Sequence, residues 1–169
     1  MKIAITKGRG ADAIAITRSD GTRADTHVPH KGPVPHDAVH WFVERAFALE
    51  RGFWGMVADG HHPENLLDLS KAAGHASAKR AEEPGAEIVE LLQAERIVEC
   101  FEADLWSGCS GAERDLLAMA QTACAASHVA MPKVPDGAVA AVRAGLGGFA
   151  CEWIAAAEGH VATMEWEQA

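Results

Sequence analysis

The chain has 169 residues, a formal net charge of −9 and a hydrophobic fraction of 49%. This length is typical of one domain that can bury a normal core, so we predict a single domain over residues 1–169. Binding to phosphate groups requires clustered lysine and arginine, so the acidic balance argues against nucleic-acid and anionic-membrane partners.

The first 28 residues are predicted to form three antiparallel strands. Lys2–Lys7 and Ala13–Arg18 alternate isoleucine with small or polar residues, and Thr22–Val28 follows them. Asp20 and Gly21 lie between the second and third strands. This dipeptide predicts a tight two-residue hairpin turn, because the favoured turn type needs positive φ at both central positions.

Helices are predicted after the proline-rich loop at residues 29–35. The first helix begins near Pro35, which suits a first helical turn, runs to about Arg51 and ends at Gly52 as a C-terminal glycine. A fourth strand is predicted at Val161–Trp166. The other predicted elements are a short helix over 61–73, an exposed loop over 74–85, and helices over 86–106, 113–127 (with a capping box at 110–113) and 136–157. The expected fold class is therefore α+β: a small antiparallel sheet, formed by an N-terminal three-stranded meander and the fourth C-terminal strand, packed with four to five helices.

The most informative motif is the start of the first helix. His36 and His40 are four residues apart, with Asp37 between them and Glu44 one turn further on. Residues three and four apart are neighbours on a helix, so both imidazoles can meet one ligand. The spacing resembles the zinc-protease motif, in which two histidines flank a glutamate, except that the acid here is aspartate. We therefore predict His36 and His40 as metal ligands, and Asp37 or Glu44 as a ligand or general base.

A helical wheel of about 100° per residue places His40, Asp37 and Glu44 opposite the apolar arc of this helix. The wheel fits a catalytic or metal-binding face, and it fits equally well a solvated face that would carry charges on any surface helix. His36 and Glu44 are separated by roughly 12 Å of helix rise, so one metal ion would be strained to reach both.

Further histidines occur close to this motif in the sequence. His30 precedes it, and His61 and His62 follow the first helix and a turn. A zinc or nickel ion needs three or four nitrogen or oxygen ligands, and we predict His62 as the third metal ligand. This requires a bend in the chain at Gly52 or Gly55.

The same region resembles an uncharacterised bacterial protein family. That family is marked by a proline followed by His-Asp-x-x-His-aromatic-x-Val-Glu, then Gly-Phe-aromatic-Gly and Ala-acidic-Gly. The matching residues here are Pro35-His36-Asp37, His40-Trp41, Val43-Glu44, Gly52-Phe53-Trp54-Gly55 and Ala58-Asp59-Gly60. The resemblance covers about residues 31–60, and it implies no particular activity.

The four cysteines are predicted to be reduced thiols, because no CxxC pair and no signal peptide are evident. Cys109 precedes the predicted capping box at Ser110, and a helix N-terminus can lower the pKa of a thiol. The simpler interpretation, that Cys109 is a small residue in a turn, is favoured. Arg143 interrupts the longest run of small apolar residues, so we expect no membrane-spanning helix and a cytoplasmic location.

Two functions follow from these patterns. The first is a metal-dependent hydrolase-like enzyme that uses a divalent transition metal, zinc or nickel. The second is a non-enzymatic binding or assembly protein, in which the polar helix face and Trp41 contact a partner. The sequence leaves the substrate open, as well as the formation of a homo-oligomer.

Overall fold

A computed structural model describes residues 1–66, 68–70 and 84–167. The described residues form an α+β fold in which one four-stranded antiparallel sheet packs against helices. The predicted fold class is confirmed. The exposed loop predicted at residues 74–85 and the end of the short helix predicted before it fall mostly outside the described residues.

The sheet contains β1 (Lys2–Thr6), β2 (Ala11–Thr17), β3 (Arg23–Pro29) and β4 (Val161–Glu165), in the order β3-β2-β1-β4. The isoleucines of β1 and β2 pair across the strands, Ile3 with Ile16 and Ile5 with Ile14. All four are buried on one face, while the alternate residues face outward. Alternation with a period of two therefore gives the sheet one apolar face for the helices to cover. The predicted fourth strand is confirmed, and it pairs with β1.

The hairpin between β2 and β3 is wider than predicted. The Arg18 amide donates to the Thr22 carbonyl (2.9 Å), and the Gly21 amide donates to the Arg18 carbonyl (3.0 Å). Three residues thus form the loop, and Gly21, with a φ of 84°, is its one residue in the left-handed region. Asp20 explains the difference, because its carboxylate accepts hydrogen bonds from the amide and the hydroxyl of Thr22.

Replacing Gly21 by valine should destabilise the protein by about 1 kcal/mol or more, because a β-branched residue is strained at positive φ. Thermal melts of the variant and the wild type would measure this loss. Gly10→Val is the matched control, since a side chain at Gly10 would meet open space and its φ is not positive. Equal melting midpoints for Gly21→Val and the wild type would contradict the prediction.

Five helices of at least six residues have their bounds fully described. They are α1 (His36–Phe47), α2 (Phe53–Ala58), α3 (Val89–Trp106), α4 (Glu113–Ala126) and α5 (Ala138–Ala155). A short 3-10 turn at Ala86–Ile88 leads into α3, and residues 63–66 and 68–70 are also helical.

Helix α1 ends five residues before the predicted stop at Gly52. Ala48 adopts the left-handed conformation (φ 54°) and caps the helix, with its amide bonded to the Glu44 carbonyl. Gly52 is instead the residue before α2. The predicted capping box at Ser110 is also absent: Ala112 is the N-cap of α4, and the Ser110 hydroxyl donates to the Ser107 carbonyl.

The helices pack closely around α1, which contacts α2, α3 and α5. A side chain at Gly145 would come within 2.8 Å of the Phe42 ring, so this glycine allows α5 to cross α1 at short range. Arg143 of α5 makes a bidentate ion pair with Asp104 of α3 (both 2.8 Å).

In the described part of the chain, α5 is the one helix that is long and apolar enough to cross a membrane. Of this helix, 33% is buried in the fold.

Candidate metal centre

Helix α1 presents His36, His40 and Glu44 on three successive turns of the same face. The wheel placed His40 and Glu44 opposite the core, but both are buried, with exposed fractions of 1% and 0%. Helix α3 and the start of α2 cover this face, so α1 is enclosed on two sides. The interpretation as a solvated helix face is therefore wrong.

Three side chains converge at this centre. The Nε2 atoms of His36 and His40 are 3.2 Å apart. Glu95 of α3 presents one carboxylate oxygen to each: Oε2 lies 3.6 Å from Nε2 of His36, and Oε1 lies 3.8 Å from Nε2 of His40. The ligand atoms of these three residues all lie within 4.8 Å of one another, so the group could hold a metal ion. We refer to His36, His40 and Glu95 as the His-His-Glu group.

Each imidazole is oriented by a second carboxylate. Glu102 bonds Nδ1 of His36 at 2.9 Å, and Glu44 bonds Nδ1 of His40 at 2.8 Å. An ionised carboxylate can only accept, so both Nδ1 atoms carry the hydrogen. Each Nε2 atom is therefore a hydrogen-bond acceptor that faces the other Nε2 atom and the carboxylate of Glu95. None of these atoms supplies a hydrogen to the others unless a proton or a metal ion lies between them. Carboxylates that bind the outer nitrogen of a ligating histidine are a common feature of metal sites.

The carboxylate of Glu44 is held by more than His40. The backbone amides of Phe53 and Trp54, at the start of α2, each donate to it at 2.9 Å. Gly52 makes room for this arrangement, because a Cβ there would lie 2.5 Å from the carboxylate carbon of Glu44. Glu44 is thus a positioning residue for His40, and it is fully buried.

The electrostatics of the centre favour bound positive charge. Burial alone would lower the pKa of both imidazoles, but the carboxylates of Glu102 and Glu95, which accept hydrogen bonds from His36, raise its pKa to about 9. Glu44 and Glu95 act on His40 in the same way and raise its pKa to about 10. Burial alone would raise the pKa of Glu95, but its interactions with the two histidines outweigh this effect and lower the pKa. The carboxylates around the two Nε2 atoms thus favour a positive charge there, which a proton or a metal ion could supply.

The distances also fit a metal ion. Two nitrogen ligands at about 2.0–2.1 Å from a tetrahedral zinc ion are roughly 3.3 Å apart. The separation of 3.2 Å between the two Nε2 atoms agrees with this value, and Glu95 places a separate oxygen at 3.6 Å from one of them and at 3.8 Å from the other. Three such protein ligands would leave a fourth position open, which is the pattern of catalytic rather than structural zinc sites.

The centre forms part of the wall of a cavity of about 100 Å³ between β3, the start of α1, α2 and α3. Asp37 also lines this cavity and is 7% exposed, and burial raises the pKa of its carboxyl group. Of the two predicted catalytic acids, Asp37 and Glu44, it is therefore Asp37 that lines this cavity. The cavity is lined by Thr26, His27, Val28, Pro29, Lys31, His36, Asp37, His40, Phe53, Pro63, Glu64 and Glu95.

The structure does not place every predicted residue together. Among the described residues, His62 lies outside the His-His-Glu group, and its Nδ1 accepts a hydrogen bond from the Glu64 amide (3.4 Å). His61 is exposed, and its carbonyl accepts a bond from Arg18. His30 bonds the buried carboxylate of Asp12 at 2.7 Å. The third member of the group is Glu95, which the sequence motif did not include.

Cys109 lies at the end of α3 rather than at the start of α4, and its amide bonds the Asp104 carbonyl. Partial burial and the nearby Asp104 carboxylate raise the pKa of its thiol. Cys109 is thus a turn residue without thiolate activation.

The chain was compared with protein-family models, curated proteins and solved structures, and none of these matches it. The resemblance of residues 31–60 to an uncharacterised bacterial family stays a prediction.

Proposed function

We propose that this protein is a metal-dependent enzyme of the hydrolase type, with one divalent transition metal held by His36, His40 and Glu95. The observation that supports this proposal is the convergence of two imidazole Nε2 atoms and a buried carboxylate at the wall of a cavity. A metal ion bound there with an open position would act as a Lewis acid and lower the pKa of a bound water molecule.

The residues around the group have separate roles in this proposal. Glu44 and Glu102 bond the Nδ1 atoms of the two imidazoles, which would leave both Nε2 atoms free to bind the ion. Asp37 lines the cavity and serves as the general base or acid that moves a proton between water and substrate. Zinc is the first choice of metal, because imidazole and carboxylate suit it, and nickel is the second.

A binding or assembly protein that presents Trp41 to a partner has weaker support. The Trp41 indole is half-buried, donates to the Glu165 carbonyl (3.1 Å) and has the Arg45 guanidinium 4.5 Å from its centre. The side chain is thus engaged within the fold.

Metal binding is the direct test. Untagged protein stripped with a chelator should take up one equivalent of Zn²⁺ or Co²⁺ in a competition titration. Glu95→Gln keeps the shape of the side chain but removes its charge, and it should lower the affinity by at least about 100-fold, because even outer-sphere partners contribute 10–100-fold. A metal-dependent ester or amide hydrolysis assay would follow for the loaded protein.

The matched control is His62→Ala, which removes a histidine outside the His-His-Glu group and should leave the affinity unchanged. Circular dichroism of each variant would show whether it remains folded. The absence of metal uptake by the wild type, or equal uptake by Glu95→Gln, would reject the metal centre. Metal uptake that is lost in His62→Ala would instead support the ligand set predicted from the sequence, in which His62 is the third ligand.

A further inference from the structure

We propose that two copies of this protein associate through β4, so that their sheets join edge to edge about a two-fold axis at Ala162. This inference is independent of the proposed metal-dependent function. Strand β4 is the last in the order β3-β2-β1-β4, and within the described residues no strand pairs with its outer side. An edge strand of this kind presents a row of backbone donors and acceptors that a second strand can pair.

The backbone groups on the outer side of β4 follow from its register with β1. The Lys7 amide donates to the His160 carbonyl (2.8 Å), so the backbone of His160 points towards β1. Because an antiparallel ladder alternates at every residue, the amides and carbonyls of Val161 and Thr163 point away from β1. No hydrogen bond to these groups is found within the described part of the chain. Both residues can therefore pair with another strand.

Pairing of β4 with its own copy has one register that suits these groups. The Trp41 indole donates to the Glu165 carbonyl (3.1 Å) and so occupies the next acceptor along the edge. A register centred on Ala162 avoids this carbonyl, because Val161 of each copy then lies opposite Thr163 of the other and exchanges backbone hydrogen bonds with it. These two residues are β-branched, a type that pairs well across strands.

The other edge of the sheet carries residues that prevent such pairing. Strand β3 contains Arg23, Asp25 and Pro29, and charged side chains and proline are common devices against edge-to-edge association. Strand β4 has the sequence Val-Ala-Thr-Met-Glu, without proline and with its one charged residue at the end. This difference indicates that β4, rather than β3, is the edge that pairs.

Helix α5 supplies apolar surface beside β4. The turn at residues 156–160 joins the two elements, and the Trp153 ring lies 5.8 Å from the His160 ring. The helix is apolar enough to cross a membrane, yet only 33% of it is buried in one copy and Ile154 is 59% exposed. A helix that is apolar on all sides is normally buried. Joining the sheets at β4 places the helix layers of both copies next to each other, which would cover part of this surface.

The charges at the two ends of β4 are complementary in this arrangement. The Arg45 guanidinium lies 4.5 Å from the centre of the Trp41 ring, at the end of β4 where that indole bonds Glu165. Glu152 lies at the opposite end, 3.8 Å from His160, and its side chain is 75% exposed. Antiparallel pairing brings these two ends together, so Arg45 of each copy lies near Glu152 of the other. This match favours a second copy over an unrelated strand as the partner.

Sedimentation velocity of the full chain over a range of concentrations would test the association. We expect a reversible monomer–dimer equilibrium for the wild type. Arg45→Glu and Glu152→Arg should each raise the dimer dissociation constant by at least about tenfold, and the double variant should restore it because the charges are then exchanged. Arg23→Glu is the matched control, since it reverses an exposed charge on the opposite edge of the sheet and should leave the constant unchanged. Circular dichroism would show that each variant remains folded.

A cysteine at the proposed axis would test the register. Residues directly opposite each other in a non-hydrogen-bonded antiparallel pair have Cα atoms about 4.5 Å apart, a distance that a disulfide can bridge. Ala162→Cys, in a background with Cys109→Ser and Cys151→Ser, should therefore form a covalent dimer with oxidised glutathione. Thr17→Cys in the same background is the control, because Thr17 is exposed on an inner strand and should not cross-link.

Three results would overturn this proposal. The first is a wild-type protein that stays monomeric at its highest soluble concentration. The second is a dimer whose dissociation constant changes with neither charge substitution. The third is a dimer in which Ala162→Cys cross-links no better than Thr17→Cys.

Discussion

Replacing Glu44 by alanine should destabilise the protein by about 3–5 kcal/mol, because it removes one partner from a buried ion pair. The Glu44 side chain is fully buried and accepts hydrogen bonds from His40 and from the amides of Phe53 and Trp54. The substitution leaves three donors without an acceptor inside the protein. Urea unfolding of the metal-free protein would measure the loss.

Two variants make this measurement specific. Glu50→Ala removes an exposed carboxylate from the same region and should change the unfolding free energy by less than about 0.5 kcal/mol. Glu44→Gln should fall between alanine and the wild type, because the amide oxygen still accepts while its NH₂ group faces a donor. Equal unfolding free energies for Glu44→Ala and Glu50→Ala would show that the buried hydrogen bonds of Glu44 contribute nothing to stability.

Replacing Trp54 by alanine should cost about 3–5 kcal/mol, the usual range for a large aromatic residue removed from a core. Trp54 is fully buried, packs edge-on against Phe53 and donates from its indole nitrogen to the Asp37 carbonyl (2.9 Å). The variant therefore creates a cavity in the core next to Phe53 and leaves the Asp37 carbonyl without its indole partner.

Trp106→Ala is the matched control, because the same residue type is 69% exposed at the end of α3. Chemical unfolding followed by circular dichroism avoids dependence on tryptophan fluorescence, which both substitutions change. The control should stay within about 0.5 kcal/mol of the wild type. Similar losses for the two variants would contradict the assignment of Trp54 to the core beneath the site.

The sheet could be predicted because its signals are local. Isoleucine at every second position marks β1 and β2, and a glycine-containing turn marks the hairpin between β2 and β3. The end of α1 could not be predicted, because it depends on Ala48 in the left-handed conformation. Alanine gives no sequence signal for that conformation, whereas Gly52 gave a strong but misleading one.

Two of the three members of the His-His-Glu group could be predicted from the sequence. His36 and His40 share a helix, and their spacing is visible directly. Glu95 lies more than fifty residues away, and only the packing of α3 on α1 brings it to the histidines. One signal was available: Glu95 lies three residues from both Leu92 and Val98, a spacing that places this charged residue on an apolar face of α3. The wheel failed for Glu44 because it considers one helix and cannot show what covers the other face.

The close approach of Gly52 to Glu44 has a consequence for sequence variation. While glutamate stays at position 44, any side chain at position 52 would collide with a carboxylate fixed by three hydrogen bonds. Glycine at position 52 is therefore required only as long as the histidine at position 40 is oriented by that carboxylate. In a diverged copy of this protein that no longer has the His-His-Glu group, positions 40, 44 and 52 should become free to change together.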